Sequence, residues 1–324
     1  MEFTFLGSSA GTPTRQRNVT ALALGPNGPK PWYLVDCGEA TQHQLLRSRY
    51  SVMQLKAIFI THIHGDHIFG LPGLLTSASM LGREEPLDLI APPQVGRFIQ
   101  AAIENSDSSL SFPLNLINSE AEDFHWQDRY FSVTTVPLSH RVPCHAFAFT
   151  ERNLERQLQQ DKLQADGIEP GPEWGDLQKG KDVQLPDGRF LKANDYTCIP
   201  RAPRKLIVAG DNDTPELLAD ACQGTQVLVH EATYTQDVAE RVGPWPQHSS
   251  AEQVARFARR VKLPNLVLTH FSSRYQSGPG GAPHINQLAA EAMQHYKGEL
   301  FLARDFDTYR LEKDFTLRRL KNGD

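Results

Sequence analysis

The sequence predicts an α/β fold, and three observations carry that reading. Short runs rich in Val, Ile and Leu recur along the chain: Leu55–Ile60, Phe131–Val136, Lys205–Ala209, Gln226–Val229 and Asn265–Thr269. Segments with helical spacing lie between several of them. Most of the runs stop at a His, Asp or Glu.

Taken in order, Leu55–Ile60 reads as a strand buried on both faces and leads into Thr61-His62. Ile68 to Leu81 reads as a helix. The alternating stretch Phe131–Val136 passes through Pro137-Leu138-Ser139 to His140. Lys205–Ala209 ends at Gly210-Asp211, and Pro215 to Cys222 is the helix behind it. Gln226–Val229 ends at His230-Glu231. Ser250 to Val261 is an amphipathic helix that Ser249 or Ser250 can cap. Asn265–Thr269 ends at His270, and His284 to Tyr296 is a last helix. Pro26 to Pro29 is a turn between two strands. In such folds the strand ends converge on one rim, which is where sites form.

One segment differs. Residues 153–200 are polar and rich in Gly and Pro, and are expected to project as an insertion from a single domain spanning 1–324. A helix over Leu154–Ala165 and a small hairpin around Pro186-Asp187-Gly188 are expected inside it. Loops this long in compact domains are usually functional or disordered.

Composition removes several function classes. The chain has 324 residues, 33 Lys+Arg and 38 Asp+Glu, hence a formal net charge of −5. This is ordinary for a globular protein and speaks against disorder and fibrous architecture. No apolar run reaches the ~20 residues that span a bilayer, so no membrane association is expected. The N-terminus does not read as a secretory signal. Cys37, Cys144, Cys198 and Cys222 are scattered with no Cys-x-x-Cys pair, which disfavours a thiolate zinc site and fits a reducing cytoplasm. A polyanionic substrate needs a local basic surface or bound cations.

The strongest signal is Thr61-His62-Ile63-His64-Gly65-Asp66-His67. On extended backbone, residues i and i+2 share a side, so His62 and His64 can reach one metal. Gly65 permits a sharp turn, after which Asp66 and His67 can reach a second. Imidazole and carboxylate donors suit Zn²⁺, and also Mn²⁺ or Fe²⁺. Two ions ~3.5–4 Å apart can clamp the attacking and leaving oxygens of a displacement. Each ion needs further donors. A lone His after a strand is ordinarily a surface or hydrogen-bonded residue, but here His140 can complete the first site and His270 the second. Asp211 can bridge both; Asp213, Asp195 and Asp305 are alternatives, with Asp211 preferred because Gly210 precedes it at a strand end. A carboxylate such as Glu231 can orient His248 and raise its pKa, making it a proton donor to a leaving oxygen. His125, His145, His284 and His295 read as structural or solvated.

These residues resemble the metallo-β-lactamase superfamily, whose hallmark is His62-x-His64-x-Asp66-His67, and within it the ribonuclease Z family of tRNA 3′-processing endoribonucleases. The similarity extends to Phe5-Leu6-Gly7-Ser8-Ser9-Ala10-Gly11-Thr12-Pro13-Thr14 with Arg17-Asn18, and to Asp36-Cys37-Gly38-Glu39-Ala40-Thr41-Gln42-His43-Gln44. It continues through His64–Leu74, His230-Glu231-Ala232-Thr233, His248-Ser249-Ser250 and Thr269–Tyr275, in the same order.

The resemblance implies a four-layer αββα sandwich with an inserted flexible arm. It implies two Zn²⁺ per subunit, one held by His62, His64 and His140, the other by Asp66, His67 and His270, with Asp211 bridging. It implies cleavage of precursor tRNA after the discriminator nucleotide by metal-hydroxide attack, leaving a 3′-hydroxyl on the tRNA. Asp66 would double as general base, and His248, supported by Glu231, would aid the leaving group. Gly171 and Pro172, with Leu177 and Gly180, would belong to the tRNA-binding arm. A homodimer is implied as well. Arg274, with Arg15 and Arg17, is a candidate for substrate contact. The region Gly171–Lys205 carries seven basic and five acidic residues, a small positive balance. A small-molecule hydrolase of a phosphodiester, sulfate ester or lactone is the alternative on the same metals. Departures from the family are Asn212-Asp213 where Thr is usual after the Asp, Ala40 in place of Gly, and Gln178 in place of Lys.

Overall fold

The computed structural model describes residues 1–152, 154–278 and 280–320. Its chain divides into two compact units, one of Met1–Thr150 with Arg204–Asp324 and one of Glu151–Pro203. Asn153, where the insertion was expected to begin, lies outside the described residues, as do 321–324.

The larger unit is built on two sheets. The first runs, strand by strand, Leu317–Leu320, Thr308–Leu311, Glu2–Gly7, Ala21–Gly25, Trp32–Val35, Leu55–Phe59, Leu87–Ala91, Leu114–Asn118. The second runs Glu299–Leu302, Asn265–Thr269, Val227–Glu231, Lys205–Ala209, Cys144–Glu151, Phe131–Leu138, His125–Gln127. The strands Lys205–Ala209, Val227–Glu231, Asn265–Thr269 and Glu299–Leu302 are mutually parallel, so their C-terminal ends share one edge.

Burial explains the layering. Inner strands of both sheets are buried on both faces: Ala21–Gly25 and Trp32–Val35 in the first, Val227–Glu231 and Asn265–Thr269 in the second, are buried at every position. One core joins Phe3, Phe5 and Phe59 of the first sheet with Phe147, Phe149 and Val229 of the second, and with Phe257 and Leu288 of the helices Ala251–Arg260 and Asn286–His295. A second core packs the other face of the first sheet, through Leu34 and Ile58, against Leu45, Leu74, Leu75 and Ile99 of the helices Thr41–Leu46, Leu71–Met80 and Pro93–Asn105. Helix, sheet, sheet and helix therefore stack in four layers around two apolar cores.

Several expected helices are shorter or interrupted. Ile68–Leu81 is two helices, Gly65–Ile68 and Leu71–Met80, because Gly70 passes the backbone of Cys37-Gly38: a Cβ there would lie 2.2 Å from the Gly38 carbonyl oxygen. Pro215–Leu218 forms only a 3₁₀ turn. The last helix is Asn286–His295. Ser250 caps Ala251–Arg260 through a reciprocal capping box with Gln253.

The smaller unit has its own apolar cluster of Leu163, Ile168, Trp174, Leu177, Leu191 and Ala193. Its helix spans Gln160–Ala165, not Leu154–Ala165, since Gln157–Leu158 pairs as a strand with Thr197–Cys198. Val183–Gln184 and Phe190–Leu191 form the hairpin around Pro186-Asp187-Gly188.

Candidate metal centre

The strand Leu55–Phe59 delivers the segment His62–His67 to one end of the first sheet. At the facing end of the second sheet, Phe131–Leu138 delivers His140, Lys205–Ala209 delivers Asp211, and Asn265–Thr269 delivers His270. Gly210 is needed for this convergence, because a Cβ there would stand 2.5 Å from Cys144 Sγ and 2.7 Å from Thr61 Cβ. Gly65 serves differently from the sharp turn expected of it. It opens the helix Gly65–Ile68 on ordinary backbone, and its missing Cβ leaves room for the Phe69 ring, whose nearest atom would lie 2.2 Å away.

The donors form two sets, and Asp211, His248 and His270 make a third group that overlaps both. His62, His64, His140 and Asp211 offer four ligand atoms, and Asp66, His67 and His270 offer three more. In the first set, His62 Nε2 and His140 Nε2 each lie 3.1 Å from His64 Nδ1. Both also face Asp211 Oδ2, at 3.6 and 3.7 Å. In the second set, His67 Nε2 and His270 Nε2 stand 3.5 and 3.3 Å from Asp66 Oδ2. The same two nitrogens are 3.5 and 3.4 Å from Asp211 Oδ1. Asp211 thus turns one oxygen to each set. A tetrahedral ion bound at 2.0–2.1 Å has ligand–ligand edges of about 3.4 Å, so the spacing fits a metal in each set.

The tautomers agree. Four imidazoles donate from Nδ1 to an acceptor behind them and so turn the Nε2 lone pair inward. His67 donates to Asp36 Oδ2 at 2.8 Å, and His140 to the Gln247 carbonyl at 3.0 Å. His62 donates to Thr61 Oγ1 at 3.0 Å, while that hydroxyl donates to Asp36. His270 donates to Thr233 Oγ1 at 3.2 Å, and the Thr233 hydroxyl donates to Glu231 Oε2. His67 Nε2 is buried and has no hydrogen-bond partner, a costly arrangement for a nitrogen that is not a ligand.

Charge follows this plan at three of the histidines, whereas at His67 burial is outweighed by Asp66, Asp211 and Asp36, which hold it well above its ordinary value. Burial holds His62, His64 and His140 below the ordinary histidine pKa, helped by neighbouring imidazoles, so they are neutral donors. Burial pushes Asp66 and Asp211 up, but the surrounding histidines outweigh it and keep both ionised. Asp66 Oδ2 also accepts the Gly11 N–H at 2.8 Å.

Beside the two sets stands His248. Its Nδ1 donates to Glu231 Oε1 at 2.9 Å and lies 3.9 Å from Asp211 Oδ2. Burial alone lowers His248, yet Glu231, then Asp211 and Asp66, outweigh it and push it to about 9.

Of the alternatives weighed for Asp211, none belongs to either set among the described residues. Asp213 accepts from Thr214, and Asp305 from Ser8, Asn18 and Gln44. Arg274 lies over the Tyr234 ring at 5.0 Å, and that ring lies 6.1 Å from His248. Gly171 and Pro172 open the helix Pro172–Gln178 of the smaller unit. Asn212 is wholly buried. Its Nδ2 donates to His230 Nε2 at 3.1 Å, and its Oδ1 accepts from Ser139 and Thr214. The supporting residues Asp36, Thr61, Thr233 and Gln247 carry no role in the sequence reading. Asp36 and Thr233 lay within the quoted motifs, but the carbonyl of Gln247 leaves no mark in a sequence.

The comparisons fit this geometry. A family model described as anti-Pycsar protein Apyc1 matches residues 1–152. A ribonuclease Z of Marinobacter nauticus is 82 % identical over 323 residues, covering 100 % of both chains. Human tRNase Z, short form, is 26 % identical with a TM-score of 0.65, covering 96 % of this chain and 100 % of its own. The metallo-β-lactamase fold protein YhfI of Bacillus subtilis superposes at a TM-score of 0.64 over 95 % of this chain and 98 % of its own, with 18 % identity.

Proposed function

The chain belongs to the ribonuclease Z family, and from that premise we propose that it is a metal-dependent endoribonuclease that removes the 3′ trailer of precursor tRNA. The cut falls after the discriminator nucleotide and leaves a 3′-hydroxyl on the tRNA. The observation that carries the reading is the shared carboxylate: Asp211 faces one donor set with each oxygen, and His248 stands beside it.

We assign two Zn²⁺ per subunit, with Mn²⁺ or another divalent ion as substitute. His62, His64 and His140 would hold one, Asp66, His67 and His270 the other, and Asp211 would serve both. Bound there, the pair supplies Lewis acidity toward the phosphodiester and an activated water. The rest belongs to the chain. Asp66 commits Oδ2 to Gly11 and His270, which leaves its other oxygen to take the proton of the attacking water. His248, charged through Glu231, gives its proton to the departing 3′-oxygen.

The unit Glu151–Pro203, carrying Gly171 and Pro172, is assigned as a second grip on the tRNA; with eight basic and ten acidic residues, it would meet phosphate through individual lysines and arginines and not through net charge. Arg274 adds a contact at the site. A homodimer is supported by the helices Thr41–Leu46 and Leu71–Met80, which lie side by side through a Gln42–Ser77 hydrogen bond. On these helices Leu46 and Met80 are 81 % and 89 % exposed, apolar side chains that a second copy would cover. A cytoplasmic location is supported by the four free cysteines. Among the described residues no helix is long and apolar enough to cross a membrane.

The test is incubation of zinc-loaded protein with a precursor tRNA bearing a 3′ trailer, beside a His64→Ala control, with the cut site mapped. Cleavage after the discriminator base, absent in the control, supports the reading. Hydrolysis of bis(p-nitrophenyl) phosphate without any cut in the tRNA would overturn the substrate while keeping the metal chemistry.

A further inference from the structure

Three of the four tryptophans, Trp32, Trp126 and Trp174, are buried, whereas Trp245 is 74 % exposed. Leaving an indole in water forgoes a large hydrophobic gain. Its placement is specific. Trp245 sits at the tip of the turn Pro244–Gln247, closed by a 3.1 Å bond from the Gln247 N–H to the Pro244 carbonyl. The carbonyl of Gln247 takes the Nδ1–H of His140, and the His140 ring lies 5.3 Å from that of His248. The residue after His140, Arg141, lays its guanidinium over the Trp245 ring at 4.9 Å from the centroid. The indole is thus tied to the two histidines through both of its neighbouring segments. One face is steadied by a cation, and its exposure leaves the other open.

An open aromatic face beside a phosphodiester-cutting site suits an unpaired base. Single-stranded RNA is held by stacking on aromatic rings and on guanidinium planes, and every base offers a π-face. We propose that Trp245, backed by Arg141, is the platform on which the base of the discriminator nucleotide stacks. This rests on the substrate reading above. The side follows from the leaving group: His248 serves the 3′-oxygen of that nucleotide, and Trp245 lies three residues before His248. Arg141, beyond steadying the ring, offers its charge to a neighbouring phosphate.

The experiment uses the full-length, zinc-loaded enzyme and two precursor tRNAs, one intact and one abasic at the discriminator position. Trp245→Ala raises KM for the intact precursor by roughly 5- to 140-fold, the range measured for loss of one stacked base, with little change in kcat. Trp245→Phe restores most of the loss. With the abasic precursor, wild type and Trp245→Ala have the same KM. Zinc content and melting temperature of both variants match wild type. An unchanged KM for Trp245→Ala on the intact precursor, or losses from the variant and the abasic site that multiply independently, would overturn the platform alone. Failure of the wild-type enzyme to cut the intact precursor would overturn the substrate reading and the platform with it.

Discussion

Asp36 and Glu231 hold mirrored positions on opposite sides of the donor cluster. Each buried carboxylate grips one imidazole directly, Asp36 that of His67 at 2.8 Å and Glu231 that of His248 at 2.9 Å. Each also reaches a second through a threonine hydroxyl, Asp36 by Thr61 to His62 and Glu231 by Thr233 to His270. Four side chains are thereby aimed by two. Such partners typically set metal affinity over 10- to 100-fold. Asp36→Asn is expected to weaken zinc binding by about that factor, read by competition with a chelator. Undiminished affinity would remove Asp36 from the centre's support.

The Glu231–His248 pair answers to pH. Neighbouring carboxylates raise His248 to about 9, so it is protonated through the neutral range and loses its proton as pH rises past that value. Replacing Glu231 by Gln removes the largest raising influence. The alkaline limb of kcat should then move to lower pH, while His248→Ala lowers kcat by roughly 10²- to 10⁴-fold. Zinc content of His248→Ala should stay at the wild-type level. An alkaline limb unmoved in Glu231→Gln would refute this proton donor.

Asn212 ties three strand ends together from a fully buried position. Burial holds His230 below the ordinary value, so its ring is neutral; Nδ1 donates to the Glu231 carbonyl at 2.7 Å, leaving Nε2 to accept from Asn212. The Asn212 N–H meets Glu231 Oε1 at 2.8 Å, and its carbonyl takes the Ser249 hydroxyl at 2.6 Å. Asn212→Ala strands buried donors and an acceptor, at a cost of about 2–4 kcal/mol. Urea unfolding should show that loss. A midpoint equal to wild type would mean the network is dispensable.

Asp305 predicts a pH dependence of stability. It accepts from Ser8 Oγ, the Asn18 N–H and Gln44 Nε2 at 2.8, 2.6 and 3.0 Å. Burial nonetheless raises it to about 6 from 3.8, against those bonds and the charge of Arg17. A carboxyl raised in the folded state contributes most below its unfolded value. That contribution fades as pH climbs from about 4 to about 6, leaving a cost of about 3 kcal/mol at neutral pH. Measured by thermal melts, the stability of wild type relative to Asp305→Asn should fall across that window and be level above it. Parallel curves for the two proteins would contradict this.

What the sequence made legible was the part written locally. His62, His64, Asp66 and His67 fall within one hexapeptide, strand-terminal Asp211 and His270 could be gathered because their parallel strands end on one edge, and His140 because it too follows a strand. The support was harder to read. Asp36 lies 31 residues from His67 and is joined to it through left-handed backbone at φ 58°. Gly65 looked like a turn, but the constraint is the Phe69 ring. The interruption at Gly70 depends on the chain crossing Cys37-Gly38, a tertiary approach that helical periodicity cannot anticipate. Asn212 was visible as a departure from the family, while the direction of its amide is set by the tautomer of His230.

The centre takes His62, His64, Asp66 and His67 from one sheet and His140, Asp211 and His270 from the other, spread over most of the chain. A ribosome releases the amino end first, and the early segment alone offers too few donors for the joined pair of sites. Only when His270 has emerged and docked can both sets close around Asp211. A chain cut short before His270 would lack one donor of the second set.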